Sequence, residues 1–285
     1  MKRPPPLPVR DGLGPARLRL QGGSVLGEFA RRFGTEGVAK VLAGEVVDAD
    51  GRVVDSSMEM APGSVVFLYR ELPDEVEVPF DIPIIYRDDN IVVVDKPHFL
   101  ATIPRGKHVA QTVLVRLRRE LGMAELSPAH RLDRLTAGVL LLTTHRQVRG
   151  RYQTLFAAGL TAKSYLARSG GVSNVALPHI VSNRIVKRRG SLQAIVEPGE
   201  PNAETSIQEI GDGLYRLLPR TGRTHQLRLH MASIGVPIAN DPLYPRVVPA
   251  EPADFAAPLA LLAHSLEFVD PISGERVRFE SSRRI

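Results

Sequence analysis

Cysteine is absent from this 285-residue chain, which excludes disulfides, thiolate metal sites and a cysteine nucleophile. Tryptophan is absent too, and aromatics make up only 5% of the residues. That is too few for a protein that holds single strands on a platform of stacked rings. No apolar run approaches the roughly 18 residues of a membrane span. The opening Met1-Lys2-Arg3-Pro4-Pro5-Pro6 lacks the apolar core of a signal peptide. A soluble, cytoplasmic protein without a membrane partner is expected. Neither a Walker A loop nor a G-x-G-x-x-G fingerprint occurs, and no G-x-S-x-G elbow, so no nucleotide cofactor and no serine hydrolase is expected.

What is present is a lopsided distribution of charge. The formal net charge is a modest +6. Between Arg134 and Val196, however, there are ten Lys or Arg and not one Asp or Glu. Between Glu71 and Lys96 the balance reverses, with eight acids against two bases. Such segregation fits a face that meets a polyanion, and also fits a merely solvated basic surface. At 43% hydrophobic residues the chain can bury a full core, with length for one large domain and a smaller appendage.

Residues 1–20, rich in Pro and Arg, read as a flexible arm. Residues 21–70 read as a small module: a helix capped by Ser24, then short strands at 45–47, 52–54 and 64–68 around a turn at 48–51. The acidic, Pro-containing segment 71–83 reads as a linker, and 84–285 as the main domain. There the spacing predicts buried strands over 91–96 and 138–143 and helices over 111–121 and 146–157. Further strands are expected at 163–168, 184–187, 192–196 and 213–218. The mixture is α+β or mixed α/β, with strands enough for one large sheet.

Three stretches carry groups of the kind an active site uses. In His130-Arg131-Leu132-Asp133-Arg134-Leu135-Thr136-Ala137-Gly138 an acid stands between two arginines just before an apolar run. Guanidinium charge nearby favours the ionised carboxylate; equally, Asp133 serves a turn by pairing with Arg131. In Lys163-Ser164-Tyr165, strand alternation puts Lys163 and Tyr165 on one face, and a half-buried core tyrosine is the plainer alternative. In Arg220 to Gly235, Leu227, Met231 and Ile234 recur at helical spacing, Thr224 is placed to cap the helix, and Gly235 to end it. Arg228 lies one turn in, where a phosphate contact or surface charge is the plainer reading of that residue alone. His225 and His230 at i and i+5 point apart on a helix, so a metal site with Asp133 is not expected.

Together and in this order, the three stretches resemble the RluA-type family of RNA pseudouridine synthases. His130-Arg131-Leu132-Asp133 with Thr136 and Gly138 is similar to the signature around that family's catalytic aspartate. Lys163-Ser164-Tyr165 resembles the second motif, and Gly222-Arg223-Thr224-His225-Gln226-Leu227-Arg228 through Gly235 the third. Smaller echoes are Asp95-Lys96-Pro97, Asp241-Pro242-Leu243-Tyr244 and Leu262-Ala263-His264-Ser265. The likeness spans about residues 84–285. It departs at Ala137, where the family usually has Ser, and at Ile238-Ala239-Asn240, where a Gly commonly precedes Asp241. The module at 21–70 stands where many relatives carry an S4-type RNA-binding domain, although only Arg31, Arg32 and Lys40 offer it a basic helix face.

The resemblance implies an α+β fold, with a large mixed, mostly antiparallel sheet flanked by helices and a small N-terminal α/β module. It implies conversion of uridine to pseudouridine in ribosomal or transfer RNA by a monomer, with no cofactor and no metal. Asp133 would act at the ribose, either attacking C1′ or taking the C2′ proton. Arg228 would pair with it, and Tyr165 would pack on the uracil and help remove the C5 proton, although a phenol of pKa about 10 is a poor base. His130, Arg131, Arg223, Lys163, Arg184, Lys187, Arg188 and Arg189 would bind substrate. The competing readings are a silent RNA-binding protein and a metal-dependent hydrolase.

Overall fold

The computed structural model describes residues 5–69, 72, 74–106, 108–248 and 254–285. The chain divides into two compact units, Met1–Asp74 and Glu75–Ile285. Among the described residues, no helix is long and apolar enough to cross a membrane.

The first unit contains β1 (Ala16–Arg19), β2 (Gly23–Ser24), α1 (Val25–Leu42), β3 (Val47–Asp48), β4 (Glu59–Met60) and β5 (Val65–Leu68). Three of these strands form a sheet in the order β1-β5-β3, and β2 pairs with β4. Ser24 caps α1 by accepting the Gly27 amide at 3.2 Å, as its position suggests. The helix kinks at Gly34, where φ is +62°. Leu18, Val25, Phe29, Val41 and Val66 fill the small core. The arm expected over 1–20 is shorter than its composition suggests. Alternation of Arg17 and Arg19 with buried Leu18 lets Ala16–Arg19 pair antiparallel with Val65–Leu68; residues 1–4 of that arm lie outside the described residues. The strand expected at 52–54 is reduced to one bridge, Val47 to Val53.

The second unit continues with β6 (Ile84–Arg87), β7 (Ile91–Lys96), α2 (Val113–Leu121), β8 (Ser127–Pro128), β9 (Ala137–Thr143), α3 (Arg146–Ala157), β10 (Thr161–Arg168), β11 (His179–Val186), β12 (Ile195–Glu197), β13 (Ala203–Gly211), β14 (Leu214–Pro219), α4 (Gln226–Ser233), β15 (Leu261–Val269) and β16 (Arg276–Glu280). Nine strands run in the order β12-β11-β13-β14-β10-β15-β9-β7-β6, with β16 added to β15 and β8 to β9. The pairing is antiparallel except for β9 with β15. This is the mixed, mostly antiparallel α+β sheet that the sequence leads one to expect.

The fully buried strands β7 and β9 form the centre of the packing. Val92, Val94, Leu140 and Leu142 face a core shared with α2. Ile91, Val93, Val139 and Leu141 face the opposite core, with Val148, Tyr152 and Leu155 of α3. Alternation along a strand buried on both faces explains the unbroken apolar runs. Leu227, Met231 and Ile234 lock α4 and its C-terminal turn onto β10, β13 and β14.

The acidic segment expected to be a linker belongs to this unit over its second half. Val78 and Ile82 enter the core, and the Glu75 carboxylate accepts the amides of Val109, Ala110 and Gln111 at 2.6–3.0 Å. Glu71 and Pro73, also in that segment, lie outside the described residues. At the far end of the unit, buried Asp95 of β7 accepts the Ser281 hydroxyl at 2.8 Å and the Ser282 amide at 3.0 Å. Arg283 Nε stands 3.2 Å from the same carboxylate. The C-terminal strap is thereby clasped to the central strand.

Gly138 permits the parallel register. Its φ is +108°, and a Cβ there would fall 2.2 Å from the Ala263 carbonyl oxygen. Only glycine fits both constraints. Gly138→Ala is expected to destabilise the unit by about 3 kcal/mol or more, read as a lowered midpoint in chemical denaturation.

Candidate active site

The turn before β9 carries Asp133, and backbone clamps fix it from both sides. The Thr102 hydroxyl donates to Leu132 O at 2.8 Å and accepts the Leu132 amide at 3.1 Å. His98 Nδ1 donates to Leu135 O at 2.8 Å. Lys96, fully buried at the end of β7, donates to Pro97 O, Leu100 O and Arg134 O at 2.7–3.2 Å. One ammonium therefore joins the 97–100 loop to the Asp133 turn. Burial pulls the Lys96 pKa down to about 7, with Asp133 acting against that fall.

Arg228 rises from the first turn of α4, and its main partner is not Asp133. Its Nε and Nη2 donate to Asp241 at 2.7 and 2.5 Å in a bidentate pair. Nη1 remains for Asp133, 3.9 Å from Oδ2. The ion pair expected from sequence is thus the looser half of an Asp133–Arg228–Asp241 row. Asp241 is held in turn by the amides of Leu243 and Tyr244 at 2.8 and 3.1 Å. Side-chain exposure separates the three roles: 0% at Asp241, 3% at Arg228 and 34% at Asp133. Two charges are spent on each other inside the protein, and the third opens outward.

The helix start differs from the expected one. The residue that caps α4 is His225, in the left-handed conformation with φ +60° and without a side-chain cap bond; Thr224 is not the cap. Gln226 takes over the tethering instead. Its Oε1 accepts the Thr221 hydroxyl and the Arg223 amide, and its Nε2 donates to Glu204 O and Thr205 Oγ1, all at 2.8–3.0 Å. The ring of His225 is free to face the site, with Nε2 4.0 Å from Asp133 Oδ2 and Nδ1 3.1 Å from the Tyr244 hydroxyl. His230 is buried between Thr205 and Asn183 at 2.9 and 3.1 Å. Among the described residues no three His, Cys, Asp or Glu side chains gather as a metal ion requires.

Tyr165 lies on β10, packed against the cores on both sides of the site. Burial first, then the Asp133 charge, push its phenol well above the ordinary value of 10, so it remains protonated at neutral pH. Lys163, on the same face, donates to Thr221 O at 3.4 Å, and burial lowers its pKa. His130 turns inward: its Nε2 accepts the Leu141 amide at 3.2 Å and its ring stacks on Phe156 at 4.2 Å. Burial lowers its pKa to about 3, so the ring is neutral. A cavity of about 540 Å³ beside the same turn is lined by His130, Arg131, Pro104, Leu114, Ser127 and Gln153. Asp133 is not in its wall.

The basic residues divide. Arg131, Arg184 and Arg189 are exposed. Lys187 donates to Ser191 O and Leu192 O, both at 2.5 Å, and Arg188 pairs with Glu197 at 2.5 Å. Arg223 Nε holds Asn202 O at 3.0 Å. Lys187 is near enough to feel Asp133, Arg228 and Arg105. Arg105 thus joins the basic rim, although the sequence offered no motif to mark it. Asp241, Tyr244 and His225 are the other residues of the site that its motifs left without a role.

Removing the partner of a buried charge costs about 3–5 kcal/mol. Asp241→Ala is expected to lose that much stability in urea titration, whereas Asp133→Asn, at an open position, is expected to stay within about 1 kcal/mol of the parent.

The chain is similar to several known proteins. A family model described as RNA pseudouridylate synthase matches residues 90–233. "RNA pseudouridine synthase 7" of Oryza sativa subsp. japonica is 34% identical over 70% of this chain and 52% of its own length. The mitochondrial "tRNA pseudouridine(32) synthase" of Saccharomyces cerevisiae is 32% identical over 57% of this chain and 37% of its own. The chain therefore spans about half or less of those two relatives. "Dual-specificity RNA pseudouridine synthase RluA" of Escherichia coli is 32% identical over 70% of this chain and 91% of its own. Among solved structures, human RNA pseudouridylate synthase domain containing 4 superposes with a TM-score of 0.54 at 25% identity, covering 71% of this chain and 88% of that one.

Proposed function

This chain belongs to the RluA-type family of RNA pseudouridylate synthases, and on that footing we propose that it isomerises uridine to pseudouridine within ribosomal or transfer RNA. The observation that carries the reading is the Asp133–Arg228–Asp241 row. It presents one half-open carboxylate beside a buried guanidinium whose other donors are already taken. A carboxylate so placed can work at a ribose without collapsing onto its own counterion.

In the proposed reaction the C1′–N1 bond breaks, the uracil turns, and C5 joins C1′. N1 gains a proton and C5 loses one, so the overall change is an isomerisation. Asp133 acts at the ribose. Tyr165 packs on the uracil and is placed to help remove the C5 proton, although burial and the Asp133 charge, which push its phenol up, disfavour the phenolate. The target base has to leave its stack first, at a cost of a few kcal/mol. Arg131, exposed next to the Asp133 turn, is suited to fill the gap or hold a neighbouring phosphate. Arg105 and Lys187, like charges close to each other at the site, are suited to the RNA backbone between them. Arg184 and Arg189 extend that track. Arg188, paired with Glu197, shapes its hairpin more than it grips, whereas Lys187 and Arg223 are bonded to peptide oxygens and keep their charge for the RNA. The name of the yeast relative, a tRNA pseudouridine synthase, favours transfer RNA as one substrate, and the bacterial relative's dual specificity favours more than one.

Tritium release from RNA labelled with [5-³H]uridine tests the reaction. The wild-type protein is expected to release tritium, and Asp133→Asn to release none while binding RNA as before. Turnover by Asp133→Asn near the wild-type rate would overturn the assignment. In RNA binding, Arg131→Ala and Arg189→Ala are each expected to reduce the slope of log affinity against log salt by about 1. Arg188→Ala, whose partner is Glu197, is expected to change that slope less.

A further inference from the structure

We propose that His225 touches the substrate: its Nε2 carries a lone pair and accepts a hydrogen bond from the ribose 2′-hydroxyl of the nucleotide held at Asp133. The proposal rests on the uridine-isomerising reading above and adds to it a residue that selects ribose.

The tautomer follows from hydrogen-bond accounting around Tyr244. Its hydroxyl has one proton and lies 3.0 Å from Ala194 O, 2.6 Å from Ala194 N and 3.1 Å from His225 Nδ1. A peptide oxygen can only accept and a peptide N–H can only donate. The hydroxyl proton is therefore committed to Ala194 O, and the phenolic oxygen accepts the Ala194 amide. Toward His225 the oxygen can again only accept, so Nδ1 carries the ring proton. A neutral imidazole protonated at Nδ1 has its lone pair on Nε2, and Nε2 is the atom 4.0 Å from Asp133 Oδ2.

The surroundings keep the ring neutral. Burial holds the His225 pKa below its ordinary 6.5; Arg228 and Lys187 act in the same direction, and Asp133 and Asp241 oppose them. Two acceptors, the Asp133 carboxylate and the Nε2 lone pair, thus face each other across 4.0 Å without a bond. Such a pair is satisfied by a donor placed between them. The backbone gives a second, independent sign. A non-glycine residue at φ +60° is strained by about 1–3 kcal/mol, and His225 sits there at the N-cap of α4 with its ring making no cap bond. The conformation aims the ring at Asp133 instead.

Inside an RNA chain a uridine offers two donors, the 2′-hydroxyl and N3–H. The 2′-hydroxyl is on the carbon next to C1′, where Asp133 acts; N3–H is across the base. A neutral lone pair also repels the uracil carbonyl oxygens. The site therefore fits the hydroxyl that distinguishes RNA from DNA. Ala194 follows the basic run Lys187-Arg188-Arg189 in the same hairpin, so the segment beside the RNA track also fixes the tautomer at the chemistry.

The test uses the full chain and [5-³H]uridine-labelled RNA. His225→Ala is expected to lower kcat/KM about tenfold or more, and His225→Gln, whose carbonyl reaches the Nε2 position, to recover most of it. Wild-type activity is expected to fall on the acid side as His225 gains a proton, and the Gln variant to lack that limb. A competitor transcript carrying 2′-fluorouridine, which cannot donate, is expected to bind the wild type about tenfold worse than the unmodified transcript, and both equally to His225→Ala. In the RNA-free protein, ¹⁵N NMR at pH 7.5 is expected to show the His225 proton on Nδ1, a readout that does not depend on the folding of any variant. Unimpaired turnover by His225→Ala, a folded Gln variant no better than Ala, equal discrimination against the fluoro transcript by His225→Ala, or a proton on Nε2 would each overturn the inference. A silent wild type would instead overturn the proposed reaction, and this contact with it.

Discussion

Everything at the site depends on one buried ion pair, Arg228 with Asp241. A guanidinium at 3% exposure is tenable only with a partner, because an isolated buried charge costs several kcal/mol. The bidentate geometry consumes two of its three nitrogens and fixes the direction of the third. That third nitrogen sets where Asp133 can rest. The pair also couples two parts of the chain: α4, which carries Arg228, and the turn after it, whose amides of Leu243 and Tyr244 orient Asp241. Tyr244 in turn orients His225. The pair therefore matters for direction more than for stability, since a buried ion pair adds little to folding when compared with packed apolar groups.

A second charge is handled differently. Among the described residues Lys96 has no acidic partner within hydrogen-bond reach and donates to three peptide oxygens. It acts as a donor hub that replaces regular secondary structure, satisfying carbonyls that the loop and the turn otherwise leave unpaired in the interior. The rigid turn that results lets a half-exposed carboxylate stay in place without a short bond to any cation.

Much of this was legible in the sequence, and what was not has physical reasons. The apolar runs Ile91–Val94 and Val139–Leu142 mark the two central strands because both faces of each are covered. Ala203–Gly211 and Arg276–Glu280 lie at less covered positions, and their half-polar patterns give a weak strand signal. Asp133, Tyr165 and Arg228 stand out as motif residues, whereas the true partner of Arg228 lies thirteen residues on, beyond a helix end and a proline. Spacing along a helix cannot reach across such a break. At helical spacing His225 points away from His230. It is in fact the left-handed residue that precedes the helix, and a single backbone dihedral moves its ring to the site.

The clasp between Asp95 and the C-terminal strap has a consequence for the order of events during synthesis. The Ser281 hydroxyl and the Asp95 carboxylate are separated by 186 positions in the chain, and the same strand that bears Asp95 ends in Lys96, the hub beneath Asp133. Contacts between positions so distant form late and slowly. The sheet and core of the first unit draw on residues 16–68, a short stretch that can fold while the rest is still being made. The second cannot complete the clasp on its central strand until residues 281–283 have emerged. A nascent chain therefore completes the fold of its N-terminal unit before the strand that leads to Lys96 and the Asp133 turn is clasped.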